Sequence, residues 1–103
     1  MSDPLAVEVS ALAAAQMRAA NEWWQSNRPK APDAIPVEVE RASALVALQP
    51  GIGSRATNVT LPGVRRLHLA RIHYDLYYRV VDEPRRVQLL AFWHAQRGTK
   101  PPI

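Results

Sequence analysis

Apolar residues follow one spacing up to Leu48 and another from Val64 onward, and the turn-rich segment Gln49-Pro50-Gly51-Ile52-Gly53-Ser54 separates the two. Before the break they recur every three or four positions, the period of a helix; after it they alternate every second position, the period of a strand. From Ala11 to about Asn27 the chain is rich in Ala, with Leu12, Met17 and Gln16, and stops at Asn27-Arg28-Pro29. Ser10 is a plausible N-cap for this helix. Two neighbouring stripes, Leu12/Ala15/Ala19/Trp23 and Ala13/Met17/Ala20/Trp24, make an apolar arc of roughly 200°, about twice what one packing face needs. A second helix runs from Val37 to Leu48 on Val39, Ala42, Leu45, Val46 and Leu48, with Pro36 suited to its first turn. The short connector Pro29-Lys30-Ala31-Pro32-Asp33 makes the pair a hairpin.

Three strands are predicted beyond the break. Val64–Ala70 places Leu67 and Leu69 opposite Arg66 and His68, and Ile72–Val81 places Tyr74, Leu76, Tyr78 and Val80 opposite His73, Asp75, Tyr77 and Arg79. Arg86–His94 is more uniformly apolar, which predicts a central strand covered on both sides. Asp82-Glu83-Pro84-Arg85 supplies the hairpin turn, and Leu5–Val9 alternates as a short N-terminal strand that can join the sheet. The order β-α-α-β-β-β predicts an α+β fold, with the N-terminal strand and helix hairpin packed on a small antiparallel sheet whose far face is left partly open.

A chain of 103 residues fits a single domain spanning 1–103, since a second core would leave each half too small to offset chain entropy. Its net charge of +4 hides an asymmetry: residues 1–54 carry four basic and six acidic side chains, residues 55–103 nine basic and three acidic. Eight of those nine cations are Arg, the side chain suited to bidentate contacts with phosphate or carboxylate. A polyanionic or acidic protein partner is therefore implied beside the plainer reading of a solvated basic face. The absence of Cys excludes disulfides, thiolate zinc sites and a cysteine nucleophile. Met1-Ser2-Asp3-Pro4 has no signal-peptide character and no apolar run is long enough to span a bilayer, so a cytoplasmic protein without membrane association is expected.

Alternation gathers Arg66, His68, His73, Asp75, Tyr77 and Arg79 on the open face, joined by His94 and Arg97 from the end of the last strand. Such a set can serve RNA cleavage, with Arg stabilising a pentacovalent phosphate and His moving a proton. Equally, Asp75 can pair with a neighbouring Arg while the histidines cap the sheet edge. No phosphate loop, Ser-His-Asp arrangement or metal motif is present, so neither metal nor cofactor is expected. Tyr74, Tyr78 and Trp23 are expected in the core, with Tyr77 on the outer face and Trp24, near the edge of the apolar arc, as a partner contact.

The segments Trp23-Trp24-Gln25-Ser26-Asn27-Arg28-Pro29, Leu48-Gln49-Pro50-Gly51-Ile52-Gly53, Pro62-Gly63-Val64-Arg65-Arg66-Leu67, Tyr74-Asp75-Leu76-Tyr77-Tyr78-Arg79 and Phe92-Trp93-His94-Ala95-Gln96-Arg97-Gly98 together resemble toxins of the RelE/ParE superfamily. The resemblance implies a bacterial type II toxin–antitoxin pair and a cognate antitoxin that wraps the toxin. RelE-like members resemble ribosome-dependent endoribonucleases; on that branch Arg66, His68 and Arg97 are the catalytic candidates, and the ribosome with its mRNA is the target. Asp75 stands where that branch carries a third-strand Arg, and no Tyr follows Arg97. The Trp93-to-Gly98 ending looks more like the ParE branch, which inhibits DNA gyrase by binding. On this favoured branch the candidate target contacts are Arg65, Arg66, His73, Tyr77, Arg79, His94 and Arg97, and the candidate antitoxin contacts are Trp24, Arg66, Arg79 and Arg97.

Overall fold

A computed structural model describes residues 3–103; Met1 and Ser2, read above as part of a leader-free start, lie outside them. The chain runs through β1 (Ala6–Val9), α1 (Ala11–Asn27), α2 (Ala34–Leu48), β2 (Ser54–Arg55), β3 (Arg65–Leu69), β4 (Tyr74–Val81) and β5 (Arg86–His94). One sheet of order β1-β5-β4-β3-β2 carries all the strands. The expected order of strand, helix pair and meander is present, with two additions. β1 lies parallel to β5 rather than antiparallel, and β2 is a two-residue strand on the edge of β3, too short to leave an alternation in the sequence. The predicted second strand also began too early: Ile72 and His73 belong to the turn, where His73 takes φ 60° and both N–H groups donate to the Leu69 carbonyl.

Ser10 couples β1 to α1. Its side-chain oxygen accepts the Ala13 N–H at 3.0 Å and donates to the Leu90 carbonyl at 3.2 Å, so the cap of the helix is also bonded to β5. Farther along α1, the Gln16 side-chain carbonyl accepts the Phe92 N–H at 2.8 Å. The main core, including Ala20, Ile35, Ala42, Val46, Leu76, Tyr78, Val87, Leu89 and Phe92, lies between the helices and one face of the sheet. Of the two apolar stripes on α1, the one through Ala13, Met17, Ala20 and Trp24 packs inward, while Leu12, Ala15, Ala19 and Trp23 stay exposed. This reverses the expectation for the tryptophans. Trp23 is 51% exposed, whereas Trp24 packs against the core and donates its indole N–H to the Ala31 carbonyl at 2.9 Å.

The second face of the sheet is less open than the alternation implied. The segment between β2 and β3 and the C-terminal residues fold across part of it, so that Ala56, Val59, Leu61 and Ile103 pack on Val64, Tyr77, Leu90 and Ala91. Register is broken between Tyr77 and Tyr78, which pair with Ala91 and Leu89 and leave Leu90 as an extra residue. That bulge turns Leu90 and Ala91 toward the same cluster, which accounts for the unbroken apolar run in β5. A leucine side chain such as that of Leu90, taken fully out of water, contributes roughly 1.5–3 kcal/mol. The cover divides the polar positions of this face, with Arg79, bonded to Gln88, toward the β4–β5 turn and His68, Asp75 and Arg97 toward the other end.

Candidate functional site

β3 and β4 bring His68 and Asp75 directly opposite one another. Asp75 is buried, and the His68 Nδ1–H donates to its Oδ1 at 2.8 Å. With a carboxylate on Nδ1, the neutral ring leaves Nε2 as an acceptor, carried on a side chain that is about half exposed. Asp75 thus pairs with a histidine, not with an arginine. Beside Asp75 on β5 stands Trp93, and Arg97 lays its guanidinium 4.2 Å from the Trp93 ring centre. Arg66, two positions before His68 on the same face of β3, is exposed.

Around the end of the sheet, a groove opens between α1 and the tips of β4 and β5. One part, of about 270 Å³, is lined by Gln16, Ala19, Ala20, Trp23, Tyr74, Phe92, Trp93 and Arg97. The adjoining part, of about 400 Å³, shares Trp23, Tyr74 and Arg97 and adds His94 and Gln96. Tyr74 stacks on Phe92 with ring centres 4.5 Å apart and meets His94 edge-on. Burial pushes the Tyr74 phenol above its ordinary value of 10.0, and the Arg97 charge draws it back in part, so the hydroxyl is a proton donor at neutral pH. His94 accepts the Gln96 N–H on Nδ1 at 3.2 Å, which leaves the proton of the neutral ring on Nε2.

The residues nominated from sequence separate into working surface and scaffold. His68 and Arg97 share one end of the second face through Asp75 and Trp93, Arg66 is exposed farther along β3 opposite the covered Tyr77, and Arg97 and His94 also line the groove. Tyr77 is a correction: it is 1% exposed, covered by the segment before β3, and its hydroxyl accepts from Asn58 Nδ2 at 3.1 Å. Trp24 is another, being half-buried in the scaffold while Trp23 meets solvent. Arg65 lies on the helix side, where it donates to the Gly53 carbonyl at 2.7 Å and steadies the loop before β2. Gly53 has no room for a side chain there, since a Cβ would meet the Tyr78 hydroxyl at 2.8 Å. Arg79 is half-buried and bonded to Gln88, and His73 is an exposed turn residue whose carbonyl accepts the Ala95 N–H. Sequence reading passed over Trp23, Tyr74 and Trp93 as groove walls. Trp93 and Arg97 sit four residues apart, a spacing that could have suggested their stacking.

Among the described residues, no group of three His, Asp or Glu side chains could hold a metal ion, and no helix is long and apolar enough to cross a membrane. The family described as ParE toxin of type II toxin–antitoxin system, parDE, matches residues 7–98. That span holds every helix and nearly every strand residue, together with Arg97. A solved structure described as the chromosomal ParDE toxin–antitoxin system from P. aeruginosa superimposes with a TM-score of 0.72 at 24% identity, covering 92% of this chain and all of that one. At that identity the likeness speaks for the fold. No curated protein matches the sequence.

Proposed function

Because the chain belongs to the ParE toxin family of type II toxin–antitoxin systems, we propose that it arrests bacterial growth by inhibiting DNA gyrase through binding, and that its cognate antitoxin neutralises it by wrapping its surface. The observation that carries this reading is the burial of Asp75 against His68. Where the nuclease branch of the superfamily places a cation to stabilise a phosphate in flight, this chain holds a fixed, buried anion. The exposed surface offers instead a stripe of apolar side chains on α1 with Arg97 beside it, and a further exposed arginine, Arg66, on β3, features suited to a protein partner. An acidic amphipathic antitoxin segment would complement both, its apolar side meeting Leu12 and Trp23 and its carboxylates meeting Arg66 and Arg97.

A second reading has one observation in its favour. His68 held by a buried carboxylate, with Arg66 two positions before it on the same face of β3, is an arrangement able to move a proton during RNA cleavage. Regulated expression in a bacterial host separates the readings. Growth should stop and co-expression of the adjacent antitoxin should restore it, while primer extension on abundant transcripts finds no new ends at codon-spaced positions. Codon-positioned cuts would transfer the assignment to the nuclease branch, and unaffected growth at verified protein levels would remove both.

A further inference from the structure

We infer that the groove between α1 and the tips of β4 and β5 binds single-stranded nucleic acid, taking a nucleobase against its aromatic walls and the adjoining phosphate on Arg97 and His94. Its walls are flat and cationic. Trp23 is exposed, with the Arg28 guanidinium 5.9 Å from its ring centre, and Trp93 carries Arg97 at 4.2 Å. An arginine spread over an indole still presents its other planar face, on which a base can stack, and base stacking on aromatic rings is tolerant of sequence.

The polar groups of the groove are all able to donate, and none of its lining residues is acidic. Arg97 is a permanent cation, Tyr74 keeps its phenolic proton, and His94 has its Nδ1 occupied by the Gln96 N–H, so its Nε2–H is the donor left over. The Gln16 carbonyl is taken by the Phe92 N–H, which leaves the amide N–H groups of that side chain. A set of donors beside an apolar floor of Ala19, Ala20 and Phe92 suits a ligand that is planar and apolar at one end and anionic at the other. The linked volumes of about 270 and 400 Å³ fall, taken together, within the roughly 300–1,000 Å³ of small-ligand sites. An antitoxin helix laid along the apolar stripe of α1 would meet the rim of the groove at Trp23 and Arg97, whereas the part at His94 and Gln96 is walled by polar groups and offers such a helix no continuing apolar strip. The charge of the whole second half of the chain points the same way.

The inference stands apart from the gyrase reading: a chain inactive on gyrase can still bind an oligonucleotide, and a gyrase inhibitor can fail to. The test is fluorescence anisotropy of a labelled short oligodeoxythymidine titrated with the purified chain. Binding is expected to weaken with salt, and Trp23→Ala and Arg97→Ala should each reduce affinity by roughly tenfold with unchanged circular dichroism. Trp23→Phe should recover most of the loss. Arg85→Ala, which removes an exposed cation at the opposite end of the β4–β5 hairpin, should change affinity by less than about twofold if the groove and not general charge is responsible. Absence of binding at low salt, or binding that Trp23→Ala leaves intact, would overturn the inference. So would tight capture of an acidic aromatic peptide by a chain that does not bind the oligonucleotide, which would assign the groove to a protein.

Discussion

His68 and Asp75 show how much one pairing decides. Both were legible as candidates, because alternation placed them on one face; their partnership was not, because the register that sets them opposite each other depends on where β4 begins. Buried at 7% exposure, the Asp75 carboxylate has its hydrogen bond from a side chain that is itself half in water. His68→Ala should therefore lower stability in urea unfolding by about 1–3 kcal/mol, the range for stranding a buried acceptor, while His73→Ala at the exposed turn stays within about 0.5 kcal/mol. Equal small losses would show that the pair is incidental. The exchange of roles between Trp23 and Trp24 was illegible for a related reason. Adjacent helix residues differ by about 100° in direction, and an arc twice the necessary width gives no sign of which margin is buried.

Among the elements, α1 carries the clearest consequence. Its inner stripe is scaffold and its outer stripe is surface, so the two tryptophans should separate stability from function. Trp24→Ala should cost about 2–4 kcal/mol, somewhat below the range for a fully buried aromatic, whereas Trp23→Ala should leave unfolding nearly unchanged and weaken antitoxin binding measured by calorimetry. The opposite pattern would mean that the helix is rotated. β1 makes a pH-dependent contribution through Glu8, whose carboxylate is held below its ordinary value of 4.5, first by the hydrogen bond from Arg86 and then by that from Gln88. A depressed carboxylate stabilises the fold above its unfolded value and loses that contribution as pH falls through its folded one. The stability gap between wild type and Glu8→Gln, read from urea midpoints, should be present at neutral pH and close below about pH 4.5. The limits of α1 and the end of α2 were readable from Ser10, Pro29 and helical spacing; α2 begins at Ala34, three residues before the expected Val37, where Asp33 makes no side-chain cap, and β2 and the β5 bulge were not readable, since both are set by contacts across the sheet.

At the scale of the whole molecule, the division between an acidic helical half and a basic stranded half was plain in the sequence and remains the organising fact. What the fold adds is restriction. The β2–β3 segment and the C-terminal residues cover much of the second face and bury Tyr77, leaving Arg66 exposed on β3 and Arg97 exposed beside Trp23 on the outer stripe of α1. A surface of that kind is built to be bound. The most direct test is a supercoiling assay with purified DNA gyrase and relaxed plasmid. The account predicts that the chain reduces supercoiling or traps cleaved DNA in proportion to its concentration, that pre-mixing with its antitoxin abolishes the effect, and that Arg97→Ala weakens it without loss of fold. Full gyrase activity in the presence of excess folded chain would contradict it.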